Sequence, residues 1–178
     1  MILNLTTYNY LLKLGTRYLT RKKKVITVID KSDFTLVLQG LVYFDEIEIN
    51  GVEDMVEKII MRAETIGTIY LLNIEGHGNM GYQAVGLNNK ESINYQNLPT
   101  HEQVLKKLKP YFRSDATVIL HGCKVGASFE GYSLLQRLAK IWGVSVKAGV
   151  INQKLPPGLE GDIHHCTPVK CELKKAEP

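Results

Sequence analysis

An α/β domain built on a mainly parallel sheet is what this sequence predicts, and three features predict it. Strand-like hydrophobic runs alternate with helical ones along the chain. Two of the strands, TIYLLNI (68–74) and ATVILHG (116–122), are apolar on both faces, as strands covered on both sides must be. Both also run into glycine-rich turns, EGHGNMG and HGCKVG. The 178 residues, 44% hydrophobic and 22% charged, suffice for one substantial core but not two, so residues 1–178 read as a single domain.

Taken in order, residues 1–24 form a basic N-terminal arm or short helix. VITVID (25–30) follows as a β-branched strand, and FTLVLQ and VYFDEIEI are further strand patterns. Asn50 and Glu53 stand in the relation of a capping box. Val52, Met55, Val56, Ile59, Ile60 and Ala63 then recur at helical spacing, which predicts a helix over 51–66 ended by Gly67. After TIYLLNI and its turn, YQAVGLNNKESINYQNLPT lacks a 3.6-residue period and predicts a loop or hairpin. Thr100 and Gln103 repeat the capping pattern ahead of Val104, Leu105 and Leu108, with Pro110 as the stop. ATVILHG is the next strand. Leu134, Leu135, Leu138, Ile141 and Trp142 then mark a helix closed by Gly143, and VSVKAG begins another strand. From residue 150 to 178 the periodicity is weak and turn residues dominate, so this reads as an irregular C-terminal segment.

The formal charge of +4 comes largely from RKKK (21–24) and the terminal lysines, at the edges of the fold. It lacks the interleaved aromatic and basic residues of a single-strand binder, so no nucleic-acid partner is expected. No segment approaches a membrane span, and the N-terminus carries no positive residues ahead of its apolar stretch. A cytoplasmic protein with no membrane partner is the expectation. Three cysteines, Cys123, Cys166 and Cys171, make no disulfide framework, and reduced thiols are expected, although one pair could close in an oxidising compartment.

GHGNMG (76–81) matches the G-x-G-x-x-G dinucleotide fingerprint. That motif works by starting a helix whose N-terminus binds pyrophosphate, and here no helical pattern follows Gly81 and no strand carries the acidic residue. No cofactor is therefore expected. The other reading makes His77 the working group, turned off its strand between Gly76 and Gly78, with Cys123 as its partner past the second strand. A thiol needs a nearby base to form the thiolate and an acid to serve the leaving group. The amides of Gly78 and Cys123 are the candidate oxyanion donors. His121 competes as a base, but its place near the end of its strand points it into or beside the core. In the tail, His164, His165, Cys166 and Cys171 are zinc-type ligands at a spacing that fits no common finger, so no metal is expected there and an edge strand is the plainer reading.

At LLNIEGHG and VILHGCKVG, followed by the helix FEGYSLLQRLAKIWG and the strand VSVKAG, the sequence resembles the caspase-like cysteine peptidases: caspases, gingipains, clostripain, separase and the self-processing domains of large bacterial toxins. The pattern is nearest to small bacterial caspase-like domains, over about residues 68–150. The resemblance implies a caspase-like three-layer sandwich, a mainly parallel central sheet flanked by helices. It also implies a thiol endopeptidase acting on a protein or peptide substrate, with Cys123 as nucleophile, His77 handling protons, and Gly78 and Cys123 forming the oxyanion hole. Relatives commonly have Ser or another small residue where Gly76 stands. They select Asp, Arg, Lys, Asn or Leu beside the scissile bond, and the substrate-binding residues are not assigned here. Some relatives cut themselves, and the toxin domains respond to an inositol polyphosphate on a basic patch; Lys22 to Lys24, Lys147, Lys154, Lys170, Lys174 and Lys175 are the lysines available for one. The alternative is a non-catalytic caspase-like scaffold for protein interaction.

Overall fold

A computed structural model describes residues 24–30, 46–86, 91–153 and 159–176. The expected strand FTLVLQ and the arm before Lys24 lie outside the described residues. The elements run β1 (Val25–Asp30), β2 (Glu46–Ile49), α1 (Val52–Ile66), β3 (Ile69–Glu75), β4 (Gly78–Asn79), β5 (Tyr82–Gly86) and β6 (Glu91–Asn94). They continue with α2 (Leu98–Lys106), a 3₁₀ turn (Lys109–Tyr111), β7 (Phe112–Leu120), α3 (Ser128–Trp142), β8 (Ser145–Gly149), β9 (Asp162–Cys166) and β10 (Cys171–Lys175).

Among the described residues these strands form a seven-stranded sheet in the order β10-β9-β8-β7-β3-β1-β2 and a three-stranded sheet β4-β5-β6. Strands β2, β1, β3, β7 and β8 run parallel, whereas β9 and β10 add antiparallel at the edge. The register places Ile26 and Val28, Leu72 and Ile74, Val118 and Leu120, and Val146 and Ala148 on one face. All are buried, in one cluster with the inner residues of α1, α2 and α3. Each such Ile, Leu or Val side chain, fully removed from water, contributes roughly 1.5–3 kcal/mol. The three helices touch in sequence, α1 on α2 and α2 on α3, and so make one layer. Trp142 ties that layer together, its indole N–H donating to the Leu105 carbonyl at 3.0 Å. On the opposite face of the sheet Asn73 Nδ2 donates to Thr27 Oγ1 at 3.2 Å.

Five local expectations are corrected. The first helix is not capped by Asn50; its N-cap is Gly51, without a side-chain hydrogen bond, and the Glu91 carboxylate accepts the Val52 N–H at 3.2 Å. The second helix begins at Leu98, ahead of Thr100, because Pro99 is tolerated in a first turn whose N–H groups lack helical partners. Strand β7 starts at Phe112 rather than Ala116 and ends at Leu120, which leaves His121 just beyond it. The tail is not wholly irregular, since β9 and β10 form an edge hairpin. Its antiparallel register sets Cys166 opposite Cys171, and the two are joined as a disulfide in place of the expected free thiols. No described helix is long and apolar enough to cross a membrane.

Candidate active site

Two strand ends build the site. β3 and β7 are parallel neighbours with Ile74 opposite Leu120, and the His121 N–H extends their ladder to the Ile74 carbonyl at 3.0 Å. His77 and Cys123 therefore stand at equal distances past paired residues, at the carboxyl edge where open α/β sheets place their ligands. Beyond the ladder the two chains abut. A β-carbon on Gly78 would lie 2.6 Å from Cα and C of Gly122 and 2.7 Å from the Cys123 nitrogen, and one on Gly122 would lie 2.7 Å from Gly78 Cα. Only glycine at both positions permits that approach. His77 is exposed and Cys123 half-buried, so both residues are open to solvent.

The turn carrying His77 is held by the hairpin that the missing helical period predicts. Ala84 N–H donates to the His77 carbonyl at 2.8 Å, which makes 77 and 84 a hydrogen-bonded pair of the β4–β5 ladder. Such pairs alternate with non-bonded ones, so the next pair, Gly78 and Gln83, exchanges no ladder bonds and the Gly78 N–H is directed away from β5.

The turn carrying Cys123 is pinned from several sides. Lys124, directly after the cysteine, sits at φ 59 in the left-handed region and donates its N–H to the Ile151 carbonyl at 2.9 Å. Left-handed geometry in a non-glycine residue persists only where surrounding contacts impose it, and such positions cluster at functional sites. Gly126 N–H donates to the Gly149 carbonyl at 2.9 Å, and its own carbonyl accepts from His164 Nδ1 at 2.6 Å. The Cys123 thiol donates to the Gln153 carbonyl at 3.6 Å.

His121, the rival base, is occupied elsewhere. Its Nε2 meets Asn73 Oδ1 at 3.1 Å, and burial lowers its pKa to about 4, so at neutral pH the ring is uncharged and donates that bond. Glu75 at the end of β3 behaves oppositely: burial, with a smaller contribution from the Glu46 charge, pushes its carboxyl up to about 7. The two groups give stability opposing pH slopes. Between about 4.5 and 7 the folded protein keeps the Glu75 proton that the unfolded chain releases, so this contribution fades as pH rises. Between about 4 and 6.5 the unfolded chain binds the His121 proton that the folded protein refuses, so this one grows as pH rises. The Glu75 term, discounted for partial solvation, is worth about 1–2 kcal/mol. Glu75→Gln is accordingly expected to steepen the rise of urea-unfolding free energy from pH 4.5 to 6.5; an unchanged profile would assign Glu75 its ordinary pKa.

His164 packs edge-on against Tyr132 at 5.7 Å as well as bonding Gly126, and the two tail cysteines hold each other. No cluster of His, Cys, Asp and Glu able to hold a metal occurs among the described residues. Lys170 and Lys174 both pair with Glu172, and Lys175 pairs with Asp162, so these lysines face acids rather than an open basic patch. A groove of about 300 Å³ lined by Val56, Ile60, Met61 and Val104 lies between α1 and α2, on elements that carry neither His77 nor Cys123. Sequence reasoning missed Gln83 and Gln153, the two glutamines that touch the cysteine turn; both contacts are long-range and neither residue lies in a motif.

No curated protein and no solved structure matches the chain. A family model does match, over residues 28–152, a stretch that runs from within β1 to the segment beside Cys123 and includes both His77 and Cys123. By that match the chain belongs to the family described as a domain of unknown function, DUF4347.

Proposed function

We propose that the chain is a cysteine endopeptidase of caspase-like architecture, working through a dyad of His77 and Cys123 on a protein or peptide substrate. The observation that carries this reading is the backbone contact between Gly78 and Gly122–Cys123, which sets a histidine turn and a cysteine turn side by side at one sheet edge.

In the proposed reaction His77 takes the thiol proton, which ends the thiol's bond to the Gln153 carbonyl, and the sulfur adds to the scissile carbonyl carbon. The C=O electron pair moves to oxygen, where the N–H groups of Gly78 and Cys123 stabilise the charge. Collapse of this adduct expels the amine, which leaves with the proton from His77, and a thioester remains on Cys123. Water then gives a proton to His77 and its oxygen to the acyl carbon, releasing the acid and restoring the thiol. Self-processing is the same reaction on the chain's own backbone.

Mapping of new termini in a peptide library, with wild type beside Cys123→Ala, tests this. New termini are expected with the wild type alone. Identical profiles from the two proteins would exclude the dyad and leave a non-catalytic scaffold, in which Cys123 Sγ only holds the Gln153 carbonyl.

A further inference from the structure

Gln83 belongs to no motif, yet its side chain lies between the two turns. It sits on β5 and is fully buried. Its Oε1 accepts the N–H of Gly122 at 3.0 Å, and its Nε2 donates to the Ala84 carbonyl at 3.0 Å. Ala84 is the residue whose N–H holds the His77 carbonyl, and Gln83 itself stands opposite Gly78 in the hairpin. The same amide fills the space between the glycines of the two turns: a β-carbon on Gly76 would come within 3.1 Å of Nε2, and one on Gly122 within 2.9 Å of Oε1. A primary amide both accepts and donates, and here it uses one function on each side. A buried polar side chain is costly unless so engaged, and an apolar one of the same size would leave the Gly122 N–H without its acceptor.

We propose that Gln83 is a positioning residue for the site. It ties the strand that holds the His77 turn to the peptide leading into Cys123, and so fixes the separation of imidazole and sulfur and the orientation of the Cys123 N–H. The inference rests on the peptidase reading, but its central claim, that Gln83 sets the geometry of the Cys123 turn, has a readout of its own.

The test compares Gln83→Met, which keeps the volume and loses both hydrogen bonds, with Gln83→Glu, which keeps an acceptor for Gly122 and, as a carboxyl held neutral by burial, a donor for Ala84. In folded Gln83→Met, kcat on a cleaved peptide is expected to fall roughly 10- to 100-fold, the scale on which misplaced catalytic groups act. KM should stay within about twofold, because substrate binding elsewhere is untouched. Alkylation of Cys123 by iodoacetamide at neutral pH should slow in parallel, and Gln83→Glu should recover most of both losses. Wild-type kcat and alkylation rate in folded Gln83→Met would overturn the proposal, as would losses in both variants that only track the folded fraction. If Gln83→Met does not fold, Gln83→Asn takes its place: it keeps the amide but is too short to reach both partners, and unchanged rates in it would overturn the proposal equally. If the wild type cleaves nothing, the peptidase reading fails separately, and the alkylation comparison alone decides Gln83: slower reaction in the variant supports the positioning role and equal reaction removes it.

Discussion

Gly78→Ala is expected to lower peptide turnover by about 100-fold or more, although it adds a single methyl group. The added carbon would sit 2.6 Å from two backbone atoms of Gly122 and 2.7 Å from the Cys123 nitrogen. Flexible side chains yield to such a clash, but these are main-chain atoms already fixed by neighbouring bonds, among them Gln83 Oε1 to Gly122 N–H. The turns must therefore separate by a large part of an ångström, and displacement of about 1 Å at a reacting centre is worth about 10²-fold in rate. Overpacking at the same point should cost about 1–3 kcal/mol of stability. Steady-state kinetics beside thermal unfolding separates the two effects. A Gly78→Ala enzyme that is folded and fully active would show that the contact between the turns does not serve the chemistry.

The two histidines near Cys123 should respond in opposite ways. His77→Ala is expected to reduce kcat by about 10²–10⁴-fold, the usual worth of a positioned acid–base group, and to leave the melting temperature nearly unchanged because His77 is exposed. His121→Ala should keep turnover within a few-fold of wild type while costing about 1–3 kcal/mol of stability, since it leaves Asn73 Oδ1 without its donor in a partly buried setting. Parallel measurement of kcat and unfolding free energy reads both. Should His121→Ala abolish turnover in a folded protein while His77→Ala spares it, the roles assigned to the two rings are exchanged.

Much of the site was legible in the sequence because its two ends are local. The run TIYLLNI, apolar on both faces, marks a central strand, and glycines at 76 and 78 mark a sharp exit from it; the same holds for ATVIL and Gly122. The absence of an apolar helical period after Gly81 separates a hairpin from a phosphate-binding helix, and the antiparallel pair β5 and β6 is that hairpin. Helix starts were less legible. Asn50 and Thr100 carry the right side chains for caps, but the helices begin at Val52 and Leu98, because caps compete with tertiary partners such as the Glu91 carboxylate.

What the sequence by itself determined is the set of elements, their order and the two chemical groups at the ends of two strands, since periodicity and turn residues act over a few positions. Only the tertiary structure decided that these ends touch, that His121 is bound to Asn73 and unavailable, and that Gln83 spans the gap. The physical reason is range. The bond from Gly122 to Gln83 joins residues 39 apart and that from His121 to Asn73 residues 48 apart, and pairings at such separations are set by strand order and register.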